Sequence, residues 1–240
     1  MDNLSKLKKE KLALVTGASG GIGFAIAESL QKLGYTVYGI GRDFSGLNPS
    51  FQAISLDLRQ KEERNSFLKS IREKGKLALL VHSAGVAYYG LQENVEEAKI
   101  LEMTELNLEI PMILTQHFLR ELKENQGHII FISSVTALER NTYGAVYGAG
   151  KAGLLSFARS LFSEYRKSGL KVHSILPDMT DTKLYRNADF TVGDEGSYLL
   201  PEDVASAVEM LLSQREGVVL EEVLIRPQRF QGKKREGKNR

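Results

Sequence analysis

The chain has 240 residues, enough for one domain with a sizeable core. Hydrophobic residues make up 42% and charged residues 26%, which excludes wholesale disorder and collagen-like sequence. A net charge of +2 is too small to argue for a nucleic-acid binder, and the absence of cysteine removes disulfides, thiol nucleophiles and cysteine-held zinc. The charge is uneven: residues 229–240 hold six basic residues and one acid. No apolar run reaches the roughly 18 residues that cross a bilayer. The first residues, Met1-Asp2-Asn3-Leu4-Ser5-Lys6, show no signal-peptide pattern. A reducing cytoplasm is the simplest expected home, with no membrane partner.

Short apolar runs alternate with longer amphipathic ones. Strands are expected at Leu12–Val15, Thr36–Ile40, Gln52–Leu56, Leu77–His82, His128–Ile132, Val172–Leu176 and Val223–Ile225. Several are almost continuous in Val, Ile and Leu, as strands covered on both faces are. Helices are expected at Ile22–Leu33, Lys61–Glu73, Glu96–Asn125, Tyr143–Ser168 and Pro201–Ser213. The alternation predicts an α/β domain, a doubly wound parallel sheet of seven strands. Pro111 should kink or divide the long fourth-strand crossover helix. Residues 180–198 have weak periodicity and are expected to form a lid or binding loop. The domain is expected to span 1–228, and the basic tail 229–240 has no apolar pattern and is expected to fray.

The first strand runs into Thr16-Gly17-Ala18-Ser19-Gly20-Gly21-Ile22-Gly23, and a helical pattern follows. Glycine lets the backbone turn sharply and lets a pyrophosphate approach closely. Free N–H groups of the next helix then face the phosphates. The spacing G-x3-G-x-G predicts a dinucleotide site, the alternative being a plain tight turn. No P-loop pattern occurs, so nucleotide hydrolysis is not expected. The second strand ends at Gly41-Arg42-Asp43. A guanidinium there suits a 2′-phosphate, which favours NADP over NAD. Asp43 is the counter-signal, since an acid there would take a ribose hydroxyl.

Strand five ends in Ser133-Ser134, and Tyr147 and Lys151 follow, four residues apart on one face of a helix. Together with Thr16–Gly23, His82-Ser-Ala84-Gly85 and Asn107, these motifs resemble, in order and spacing, the short-chain dehydrogenase/reductase family in its single-domain branch of Rossmann type. The resemblance covers residues 11 to about 226 and implies an oxidoreductase that transfers a hydride between NADP(H) and a carbonyl or alcohol. It implies Tyr147 as general acid or base, its pKa lowered by Lys151 together with an oxidised nicotinamide, and Lys151 as the amine that also holds the nicotinamide ribose. It implies Ser134 on the substrate oxygen and Asn107 on a water linking Lys151 to solvent. Gly17, Ser19, Gly21, Ile22 and Gly23 would hold the pyrophosphate, and Asp57 and Leu58 the adenine. Ala84 and Gly85 would lie along the cofactor, with Pro177, Thr180 and Thr182 on the carboxamide side. Homodimers or homotetramers, paired through the helices before and after strand five, are also implied.

Three positions depart from the family pattern: His82-Ser83 for two asparagines, Asp178 for a glycine, and Gly148 for a serine. Asp178 adds a carboxylate near the nicotinamide pocket, facing either a cationic substrate group or solvent. The four histidines are scattered with no H-E-x-x-H pattern, so no metal is expected. Tyr88, Tyr89 and Tyr143 are candidates for the substrate pocket or for ordinary packing, and Tyr185 for the lid. The alternatives to an enzyme are a non-catalytic NADP-binding sensor or scaffold, and a nucleic-acid protein using its basic end.

Overall fold

A computed structural model describes residues 11–74 and 76–234. The N-terminal residues 1–10, where no signal sequence was expected, and residues 235–240 of the basic tail lie outside the described residues.

The central sheet contains β1 (Lys11–Thr16), β2 (Tyr35–Gly41), β3 (Gln52–Ser55), β4 (Leu77–His82), β5 (His128–Ile132), β6 (Lys171–Pro177) and β8 (Glu222–Ile225). All pairs are parallel, in the order β3-β2-β1-β4-β5-β6-β8. The winding direction reverses between β1 and β4, the place where such sheets open a crevice at their carboxyl edge. Thr16 ties the two strand ends together there: its Oγ1 accepts from Ser83 N and Ala84 N at 3.1 Å each.

The alternation of β1 explains the two layers. Leu12 and Leu14 face a core built with Leu68, Leu114, Phe118 and Leu154. Ala13 and Val15 face the opposite core, with Ile26, Leu30, Val204 and Val208. The helices that supply these residues are α1 (Gly21–Lys32), α2 (Lys61–Lys74), α4 (Ile110–Glu124), α5 (Ala145–Tyr165) and α6 (Pro201–Leu212). Burial on both faces is why the strands read as unbroken apolar runs.

The long helix expected at 96–125 is divided. It comprises α3 (Glu97–Thr104), a π turn over Glu105–Glu109, and α4, with Pro111 in the first turn of α4. Proline donates no N–H, and a wider turn before it absorbs the missing bond. The turn aims Asn107 inward, where it is almost fully buried.

One expectation is corrected. The segment after Gln228 does not simply fray: β9 (Gly232–Lys234) pairs antiparallel with β7 (Phe190–Val192), which lies within residues 180–198. An edge-to-edge ladder needs backbone N–H and C=O groups and no apolar pattern, so it left no trace in hydropathy.

Candidate active site

A cleft of about 710 Å³ runs along the carboxyl edge, from Arg42 past the glycine turn to Tyr147. That is a volume typical of cofactor sites. The turn makes the cleft possible. Gly17 has φ +73°, and a Cβ on it would stand 2.7 Å from Ala84 N. A Cβ on Gly23 would stand 2.3 Å from Gly17 O. Gly20 is different: nothing lies within 4 Å of where its Cβ would be, because the space in front of it is the cleft. The residues therefore form a cradle, open at the N-terminus of α1, that fits a dinucleotide pyrophosphate. Ser19, Gly21 and Ile22 line it, and Ala84 and Gly85 form its opposite wall.

At the far end β2 stops at Gly41, where a Cβ would stand 2.4 Å from Ser19 Cβ. That close approach excludes any side chain at the strand end, an acid included. Arg42 follows and is exposed on the cleft rim. Asp43 turns to Ser45 instead, whose N–H donates to its Oδ1 at 2.8 Å. The hydrogen bond of the Ser45 side chain, and then this backbone bond, hold the Asp43 carboxyl below its ordinary range.

Asp57 and Leu58 line the same end. Arg59, which sequence reasoning missed, clamps Asp57 through Nε at 3.0 Å and Nη2 at 2.6 Å. Its Nη1 reaches Glu102 at 2.9 Å, and Tyr88 donates its hydroxyl to the other Glu102 oxygen at 2.7 Å. The Arg59 hydrogen bonds hold Asp57 below the usual carboxylate range. The Asp-x-Arg spacing could have suggested the local clamp; the link to Glu102 crosses 43 residues and could not.

The reactive end is built by β5 and α5. Ser134 caps a short 3₁₀ turn over Val135–Ala137, accepting from Thr136 N at 3.2 Å. Ser133 donates to the Lys151 carbonyl at 3.1 Å and so fixes α5 to the strand end. Tyr147 and Lys151, one turn apart, are both buried and line the cleft beside Ser134. The Lys151 Nζ lies 5.7 Å from the Tyr147 ring centre and donates to Ile132 O at 2.8 Å.

Burial pushes the Tyr147 phenol above its ordinary value, with Tyr185 adding to the rise and a bond from Ser134 opposing it. The Lys151 ammonium donates to the Ile132 carbonyl, and the lowering expected of it together with an oxidised nicotinamide belongs to the cofactor-bound site. Burial also pushes Lys151 down to about 8.

Asn107 stands behind the cleft wall. Its Oδ1 accepts from Val86 N at 2.9 Å and its Nδ2 donates to Val86 O at 2.8 Å. A Cβ on Gly85 would stand 2.9 Å from that Oδ1 and 3.8 Å from Lys151 Nζ, so the glycine lets the amide and the amine approach one another.

Pro177, Thr180 and Thr182 line the side facing Tyr147. Thr182 packs on the glycine turn: its Cγ2 is 2.9 Å from where a Cβ of Gly21 would be. Asp178 also lines the cleft. Its Oδ1 accepts from Met179 N at 2.8 Å, and its Oδ2 faces Arg226, which in turn pairs with Glu139. His82 is packing: it stacks on Phe131 with ring centres 4.8 Å apart, meets Thr115 at 2.9 Å, and burial holds its pKa near about 3.

Of the other tyrosines, Tyr89 packs 6.3 Å from Tyr147 and 6.2 Å from Tyr185, centre to centre. Tyr143 is exposed and does not line the cleft. Among the described residues no cluster of three metal-ligating side chains occurs, and no helix is long and apolar enough to cross a membrane.

The chain is similar to known proteins in sequence and fold. The profile of the short chain dehydrogenase family matches residues 11–191, and the chain belongs to that family. An uncharacterised oxidoreductase of Staphylococcus epidermidis is 34% identical over 232 residues, which are 91% of this chain and 98% of the relative. A 3-oxoacyl-[acyl-carrier-protein] reductase of Rickettsia felis is 34% identical over 85% of this chain and 90% of its own. The structure of an alcohol dehydrogenase from Thermococcus sibiricus, complexed with 5-hydroxy-NADP, superposes with a TM-score of 0.81 at 26% identity, covering 92% of this chain and 97% of the other. The protein is thus an oxidoreductase of the hydride-transferring kind.

Proposed function

We propose that the protein reduces a ketone or aldehyde with NADPH, or runs the reverse oxidation, using Tyr147, Ser134 and Lys151. The observation that carries this reading is the convergence of a buried phenol, amine and hydroxyl on the wall of the cleft that the glycine turn opens. A nicotinamide bound there supplies the hydride in reduction and takes it in oxidation. Everything else is the work of the chain.

The Gly17–Gly23 turn and the first N–H groups of α1 hold the pyrophosphate. Arg42 takes the 2′-phosphate, and Asp57 and Leu58 the adenine. Support for NADP comes from the glycine forced at position 41, from the diversion of Asp43 to Ser45, and from the NADP analogue in the Thermococcus relative. Ser134 donates to the substrate oxygen and stabilises charge as it develops there. Tyr147 keeps its proton through neutral pH because burial disfavours the phenolate, so it is a general acid for reduction. Lys151, pushed down to about 8, holds the ribose and restores the phenol's proton. Asn107 positions Lys151 by holding Val86 and the turn around Gly85.

The helices α4 and α5 are proposed to pair protomers into a homodimer or homotetramer. Ile113 on α4 and Leu101 on the preceding α3, both exposed, support an apolar face there. A cysteine-free chain suits the cytoplasm as its working compartment.

The test is NADPH consumption over a panel of ketones and aldehydes. Tyr147→Phe should lower kcat by about 10²–10⁴-fold with NADPH affinity intact. Turnover retained in Tyr147→Phe would overturn the assignment. Coenzyme binding without turnover on a broad panel would instead favour a sensor.

A further inference from the structure

Residues 180–186 line the reactive end of the cleft, and the flap they begin, residues 180–198, carries clustered aromatic side chains. Tyr185 lies in the 3₁₀ turn Lys183–Asn187, and Phe190 opens β7. The Phe190 ring is 4.9 Å from Tyr89 and 5.5 Å from Tyr185, centre to centre. Tyr89 is the ring that also meets Tyr147. Of these side chains Tyr185 lines the cleft beside Tyr147, and Tyr89 and Phe190 pack against it.

The outer side of the flap is held by a different segment. β7 takes no part in the seven-stranded sheet, and its partner is β9, in the register Phe190↔Lys234, Thr191↔Lys233 and Val192↔Gly232. Lys233 Nζ pairs with Asp194, just beyond β7. Gly193 packs on the backbone of the same segment: a Cβ on it would stand 2.4 Å from Gln231 O. Arg229 adds attraction to Asp194. The basic character of this stretch thus meets an acid of the flap.

We propose that residues 231–234 are a strap that positions the flap. By pairing with β7 they set where Phe190 and Tyr185 stand above Tyr147. They govern the fit of the carbonyl substrate and leave the grip on the coenzyme to the glycine turn. This rests on the hydride-transfer reading of the cleft. The residues act through Phe190 and Tyr185 and touch no reacting atom, so they are positioning residues.

The full chain carries the test in three variants. Gly193→Val drives a branched side chain into Gln231, and against Ser197 Oγ, and should expel the strap; the Lys233 variants, which leave Ser197 untouched, separate the strap from that second contact. Lys233→Glu sets two acids against each other, and Lys233→Glu with Asp194→Lys restores the pair in reverse. Gly193→Val should speed amide exchange at Phe190–Val192 by about tenfold or more and raise the substrate KM by about tenfold. Lys233→Glu should do both by about threefold, as befits an exposed ion pair, and the double exchange should return both to the original values. NADPH affinity should stay within about twofold throughout.

Unchanged exchange and KM in the single variants, or a Lys233→Glu loss that the double exchange does not rescue, would overturn the strap. If no carbonyl is turned over at all, the exchange data alone decide the strap, and the function reading is what has failed.

Discussion

The two edges of the central sheet use similar side chains to opposite ends. At the amino edge, polar groups close on one another. His128 Nδ1 meets His173 Nε2 at 3.0 Å, and His173 Nδ1 meets the Leu220 carbonyl at 2.8 Å. A carbonyl only accepts, so His173 carries its proton on Nδ1 and His128 donates to His173. Nearby, Glu121 accepts from Leu77 N at 2.6 Å, and Asn125 donates to Leu77 O at 3.0 Å. At the carboxyl edge, Ser134, Tyr147 and Lys151 are buried, as His173 is at the amino edge, yet they border open space. Polar groups that pair with each other, as His128 and His173 do, hold a fold together. Buried polar groups set against a cleft are available to a ligand.

That contrast can be broken at either edge. After Tyr147→Phe, the largest effect is expected from Lys151→Met, a loss in kcat of about 10²–10³-fold. In the unaltered protein, carbonyl reduction should decline as pH rises through about 8, where the Lys151 ammonium loses its proton. A pH–rate profile checks this.

Gly17→Ala comes next. It forces a Cβ toward Ala84 N at φ +73°, and should cost about 1–3 kcal/mol in denaturant unfolding. NADPH binding should weaken as well, since the cradle must move. Arg42→Ala should lower the preference for NADPH over NADH by about tenfold, measured as the ratio of kcat/KM values.

The smallest effect belongs to the amino edge. Burial holds His128 near about 3 and His173 near about 4, both below the ordinary histidine value. Below about pH 6.5 the unfolded chain takes up protons that the folded chain refuses, so stability falls as pH drops from there toward 4. His128→Leu removes one of the two groups and should make that acid decline shallower, by about 1 kcal/mol. Its activity at neutral pH should be unaltered.

The contrast also explains what was legible in the sequence. The seven strands and the glycine turn follow from hydropathy period and glycine spacing, which are local; the Tyr147-Lys151 pair drew its meaning from its place after strand five and from the family resemblance. The division of the long helix followed from Pro111, although a π turn rather than a simple kink is what aims Asn107 inward. Arg59 was not legible, because half of its meaning is Glu102 on a distant helix. Neither was the β9 strand, whose charged residues carry no period and whose bonds are all backbone. The reason for Gly41 lay in the approach of Ser19 from another turn, a contact only the folded chain makes.

Amide hydrogen exchange with and without NADPH tests the central claim most directly, because it reports on both edges in one experiment. The coenzyme should slow exchange in Gly17–Gly23, around Gly85 and at the start of α5, and leave His128, Lys171 and their neighbours at the amino edge unchanged. Slowing confined to the amino edge, or none anywhere at saturating NADPH, would contradict it.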